Sequence, residues 1–159
     1  MHEFTQEVEE LAKAVMEYSL ERLKSNPPLD GPRSEQDLYA ELGNTITPQG
    51  LGGKQTLKVF TETLALACIS TDHPRNLAFI PSAPSEYANL FDLVVGASSL
   101  YGGSWQEGAG AVFAENQALK WLIDIAGLPK NAGGVFVQGG TMGNLSALVV
   151  ARDQARKAH

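Results

Sequence analysis

Residues 133–152, GGVFVQGGTMGNLSALVVAR, decide how the rest of the chain is read. Val135-Phe136-Val137 is a short β-branched and aromatic run, which predicts a strand. Gln138-Gly139-Gly140-Thr141 follow, and from Met142 to about Lys157 an Ala- and Leu-rich stretch predicts a helix. Strand, glycine turn and helix together make chemistry for an anion. Glycine lets backbone approach a ligand closely. The first N–H groups of a helix lack intrahelical partners and carry the positive end of its dipole. Thr141 can cap the helix or give its hydroxyl to a phosphate. Neither GxxxxGK[ST] nor GxGxxG occurs here, which excludes a Walker loop and a dinucleotide fingerprint. A plain strand-to-helix connection would use the same residues, so the turn alone leaves both readings open. One strand cannot make a sheet. The chain is therefore expected to be an incomplete α/β domain, helix-rich with one evident strand; the alternative is a small all-helical domain with a buried extended segment.

Working outward, residues 109–126 predict a helix with Val112, Phe113, Leu119, Leu122 and Ile123 apolar, ended by Gly127 and Pro129. Before it, residues 98–105 are rich in Gly and Ser. A helix over 85–97 is expected, with Ser82 or Ser85 as its cap, preceded by an irregular segment holding Pro74, Pro81 and Pro84. Another helix covers about 54–69, and residues 43–53, with four glycines, read as a loop. Ser34-Glu35-Gln36-Asp37 resembles a capping box that opens a short helix to about Leu42. Residues 3–25 form an amphipathic helix: Phe4, Val8, Leu11, Val15 and Tyr18 recur at spacings of three and four, and Asn26-Pro27-Pro28 stops it. The loop after it offers that stripe no local apolar partner, which points to packing on a second subunit.

Composition bounds the function. The 159 residues are 43% hydrophobic and 19% charged, as expected of a globular chain. A net charge of −6, with no basic cluster denser than Arg152, Arg156 and Lys157, argues against nucleic acid as a partner. The longest apolar candidate, 87–100, is broken by Asn89, Asp92 and Gly96, and the acidic start MHEFTQEVEELAK is no signal peptide, so no membrane association is expected. Cys68 is the only cysteine, which fits a cytoplasmic setting; its apolar neighbours, Leu64 to Ile69, predict a buried structural thiol. With His2, His73 and His159 as the only histidines, neither a Ser–His–Asp set nor zinc spacing is found, and no metal is expected. His73, before proline in a loop, reads as structural or exposed.

Four blocks taken together resemble a known family: HPRNLAFIPSAPS, then Ser104-Trp105 followed ten residues later by Glu115, then LKWLIDIAGLP, then GGVFVQGGTMGNLSALVVAR. Their order and spacing over about residues 70–152 are similar to those of the group II pyridoxal-phosphate-dependent decarboxylases, which act on aromatic amino acids, glutamate or diaminobutyrate. The resemblance implies a fold-type-I enzyme with pyridoxal 5'-phosphate as cofactor, working as a cytoplasmic homodimer that releases CO2 and an amine. It implies that residues 1–53 wrap the dimer partner and that 54–159 begin the cofactor-binding large domain. Gly140 and Thr141 match the family's phosphate-binding positions. Phe79, Ile80, Pro81 and Ser82 match a loop lining the substrate pocket. Trp105, with Gly103 and Ser104, matches a segment near the subunit interface, and Glu115 an acidic position on a helix. Phe79 and Trp105 would give apolar walls, which mildly favours an aromatic substrate. The chain departs from the family pattern at GAGAVFAEN (108–116), where many members carry a run like SPAxTELE, and at Met142, where an acidic residue is common. The family's cofactor-stacking histidine, pyridine-nitrogen aspartate and Schiff-base lysine are expected beyond residue 159, so no catalytic residue is assigned here; Lys157 lacks the family's His-Lys context. Another fold-type-I lyase or aminotransferase, or a non-catalytic dimerisation or scaffold fragment, is the alternative.

Overall fold

A computed structural model of the chain describes residues 3–29, 31–80 and 83–158. They form six α-helices: α1 (Gln6–Lys24), α2 (Glu35–Leu42), α3 (Gly53–Val59), α4 (Glu86–Ala97), α5 (Trp105–Ile125) and α6 (Gly140–Lys157). α3 continues into a π turn (Phe60–Leu64) and a 3₁₀ turn (Ala65–Ala67), so one helical run covers the stretch expected at 54–69 except its last two residues. The chain divides into two compact units, Met1–Leu93 and Val94–His159, with the boundary inside α4.

In the first unit α1 begins at Gln6, three residues later than expected, with Thr5 as its cap, while the caps at Ser34 and Ser85 are those the sequence indicates. The Thr5 hydroxyl accepts from the Val8 N–H at 3.3 Å. The Ser34 hydroxyl accepts from the Asp37 N–H at 3.1 Å and donates to the Asp37 carboxylate at 2.7 Å. Each such cap is worth about 1 kcal/mol. The Ser85 hydroxyl accepts from the Ala88 N–H at 3.3 Å and starts α4; the other candidate, Ser82, lies outside the described residues. α1 rests on α3 at Gly53, where a methyl group would collide with Leu11. The rings of Tyr18 and Phe60 meet edge to face, with centroids 6.5 Å apart. Lys54 pairs with Glu10 at 2.7 Å, and Arg22 reaches Asp72 at 2.8 Å and the Ser70 hydroxyl at 3.2 Å.

The apolar stripe of α1 stays partly open, with Val8 and Val15 each 40% exposed. Val8, Leu11, Val15 and Leu23 share an apolar groove of about 410 Å³ with Leu90 and Leu93 of α4.

In the second unit α5 starts at Trp105, four residues earlier than expected. One of its first N–H groups is met by Ser104: the Ser104 hydroxyl accepts from the Glu107 N–H at 3.3 Å and donates to the Glu107 carboxylate at 2.7 Å. The helix kinks at Gly108 (φ −135°, ψ 42°), one residue before the start that the hydrophobic pattern indicates. A side chain there would run into the Tyr101 carbonyl oxygen.

Two expectations are corrected. Among the described residues there is no strand, and Val135–Val137 runs as irregular chain. A strand exists only as a member of a ladder, and none of these residues supplies the neighbour. Cys68 is exposed, its thiol donating to the Leu64 carbonyl at 3.3 Å. The apolar run around it finds little cover, because Ile123, 8% exposed, is the sole buried apolar residue among those described. The surface measures 13,270 Å², whereas even two separate compact bodies of these sizes would expose about 9,300 Å². These helices therefore carry apolar faces left open to solvent.

Candidate functional site

The glycine turn of the second unit has the features an anion site needs. α6 begins at Gly140, two residues before the start expected from composition, so Gly140 and Thr141 are its first two residues. Gly139 is the N-cap, at φ 135° and ψ 177°, a conformation that strains any residue with a Cβ. It has no side chain to cap with, and no hydroxyl or carboxylate takes that place. The first backbone bond of the helix runs from the Gly143 N–H to the Gly139 carbonyl at 3.0 Å. The N–H groups of Gly140, Thr141 and Met142 meet no acceptor among the described residues. No acidic side chain lies in the first turn to repel an anion. A Cβ built on Gly140 meets nothing within 4 Å, so there is room beside the turn. Three unpaired donors, the positive end of an 18-residue helix and open space suit a phosphate group.

The segment leading into this turn is held by α5. The Glu115 carboxylate accepts from the Phe136 N–H at 3.4 Å, and the Leu119 side chain packs over Gly134. Trp105, at the first position of α5, is 60% exposed.

Phe79 and Ile80 belong to the first unit. Phe79 has φ 61°, left-handed and costly for a bulky side chain, and the two residues are 82% and 98% exposed. Pro81 and Ser82 lie outside the described residues. The seven candidate residues are thus divided: Gly140, Thr141 and Trp105 in one unit, Phe79 and Ile80 in the other, with Pro81 and Ser82 outside the described residues.

Other candidates take structural places. His73 accepts the Arg75 N–H on its Nδ1 at 3.0 Å. Lys157 pairs with Asp153 at 2.8 Å. Among the described residues no group of three or more His, Cys, Asp or Glu could hold a metal, and no helix is long and apolar enough to cross a membrane. The sequence reading missed the Ser104–Glu107 box, although Ser104-Trp105-Gln106-Glu107 carries the S-x-x-E signal. It also gave Glu115 no role.

Known proteins resemble this chain over most of its length. The chain is 34% identical over 134 residues to an aromatic-L-amino-acid decarboxylase of Bacillus atrophaeus, covering 84% of this chain and 28% of that protein. It is 25% identical over 120 residues to an L-2,4-diaminobutyrate decarboxylase of Acinetobacter baumannii, covering 76% and 24%. A further L-2,4-diaminobutyrate decarboxylase, from Rhizobium meliloti (strain 1021), is 31% identical over 90 residues, covering 54% and 18%. No family model matches. The class defined by these matches is that of the amino-acid decarboxylases. More narrowly, the chain is a relative of the group II pyridoxal-phosphate-dependent decarboxylases, and it spans less than a third of the length of the relatives it matches.

Proposed function

We propose that this chain is the N-terminal part of a pyridoxal-phosphate-dependent L-amino-acid decarboxylase of fold type I, a cytoplasmic homodimer that releases CO2 and an amine. In this reading residues 1–53 wrap the partner subunit and 54–159 open the cofactor-binding large domain. The observation that carries it is the uncapped start of α6, where three N–H groups beside Gly139 have no acceptor and no acidic neighbour among the described residues. When bound, the cofactor supplies an electron-withdrawing ring that takes up the electron pair left behind as CO2 departs. The chain's own part is to hold and orient. Gly140 and Thr141 donate their N–H groups to the phosphate, and the Thr141 hydroxyl adds a further hydrogen bond. Phe79, Ile80, Pro81, Ser82 and Trp105 shape the pocket for the substrate side chain. The aromatic residues among these favour an aromatic substrate; diaminobutyrate is the second choice, after the names of the other relatives. Lys157, engaged with Asp153, takes no part.

The test is a titration of the full-length protein and its Thr141→Ala variant with pyridoxal 5'-phosphate, followed by CO2 release from aromatic amino acids and from 2,4-diaminobutyrate. A hydrogen bond to a charged phosphate is worth about 1.5–3 kcal/mol, so affinity should fall roughly tenfold to a hundredfold. Unchanged affinity with a lowered melting point would reduce the turn to a helix start.

A further inference from the structure

We propose that Glu115 is the positioning residue for the glycine turn, fixing the segment that delivers Gly139, Gly140 and Thr141. This rests on the turn's reading as a phosphate site.

Glu115, Leu119 and Ile123 succeed one another at intervals of four residues, which places them on one face of α5. Each engages the chain that follows the helix. The buried Ile123 presents its carbonyl to the Leu128 N–H at 3.0 Å, closing the end of the helix. Leu119 reaches Gly134 so closely that a methyl group there would stand 3.1 Å from its Cδ2. Glu115 receives the Phe136 N–H, three residues before the N-cap of α6. At the far end of the segment, Val137 lies 3.7 Å from the place a methyl on Gly143 would occupy, so the same stretch touches the first turn of α6. The path therefore runs from α5 through residues 134–137 to the turn. Its apolar contacts can slide; the hydrogen bond to the Glu115 carboxylate, long at 3.4 Å, is the directional contact on this path. Among the described residues Glu115 is the one side chain of α5 that hydrogen-bonds to this segment.

The experiment uses the full-length protein with Glu115→Ala, Glu115→Asp and Glu115→Gln. Two quantities are read: hydrogen exchange at the Phe136 amide without cofactor, and affinity for pyridoxal 5'-phosphate. Glu115→Ala and the shorter Glu115→Asp should speed exchange at Phe136 and weaken binding roughly threefold to tenfold. Glu115→Gln keeps an acceptor at the same reach and should restore both. The proposal is overturned if Glu115→Asp leaves Phe136 protected, if exchange rises while affinity stays unchanged, or if Glu115→Gln is no better than Glu115→Asp. A wild-type protein that does not bind the cofactor would sink the decarboxylase reading instead, and the Phe136 exchange would still decide the contact.

Discussion

The two long helices of the second unit begin in opposite ways. α5 carries a side-chain cap at its N-terminus: the Ser104 hydroxyl accepts from the Glu107 N–H and donates to the Glu107 carboxylate. α6 leaves its N-terminus open behind Gly139, which has no side chain to offer. Elementary capping energetics favour the first arrangement by about 1 kcal/mol per cap. An open end therefore carries a cost in the isolated chain, one that an anion would offset. The lesson is that a missing cap can be as informative as a motif.

The comparison can be broken hardest at the closed end. Gly108→Ala places a methyl group against the Tyr101 carbonyl oxygen at the kink of α5. It should destabilise the protein by about 3 kcal/mol, the upper range for overpacking. Urea denaturation measures this, and a loss below about 1 kcal/mol would mean that the backbone around Tyr101 gives way easily. A milder change sharpens the contrast. Ser104→Ala removes the cap of α5 and should cost about 1 kcal/mol of stability. Affinity for pyridoxal 5'-phosphate should stay where it was, in contrast to Thr141→Ala. Equal losses of affinity in the two variants would erase the distinction between the helix ends.

The smallest effect is expected in the first unit, where a polar cluster stands in place of an open helix end. The Thr63 hydroxyl bonds Glu41 at 2.7 Å and Arg33 pairs with it at 2.7 Å; these hold the Glu41 carboxyl below the usual carboxylate range. A carboxyl with a depressed folded value stabilises above its unfolded value, and that contribution fades as pH falls through the folded value. Glu41→Gln should therefore be slightly less stable than the wild type at neutral pH, with the difference shrinking in acid. Thermal melts across that range check it; a gap of constant size would show that ionisation is irrelevant to the cluster.

Much of this was legible in the sequence wherever the signal is local. Ser34 with Asp37, and Ser85 with Ala88, are bonds within four residues, and the helix ends they set fall where the residues indicate. The start of α5 was obscured for a reason also local: Gly102, Gly103, Gly108 and Gly110 read as loop, and the capping box was lost among them. The unpaired run at Val135–Val137, the groove between α1 and α4 and the exposure of Cys68 depend on which distant segments arrive. No window of residues records that. Of the candidate site, the turn was readable because its chemistry is carried by consecutive residues. Glu115 was not, because its partner is 21 positions away.

The geometry of the turn also separates two kinds of selection at adjacent codons. Gly139, at φ 135°, rejects any side chain whatever its size, so variants there are lost to folding before a ligand is ever met. Gly140 has a permissive backbone and open space around a would-be Cβ, so variants there can fold and are exposed to selection only through what binds beside the helix. A lineage that lost the cofactor would therefore let position 140 drift while holding 139, and the pair records in its variation whether the site is still in use.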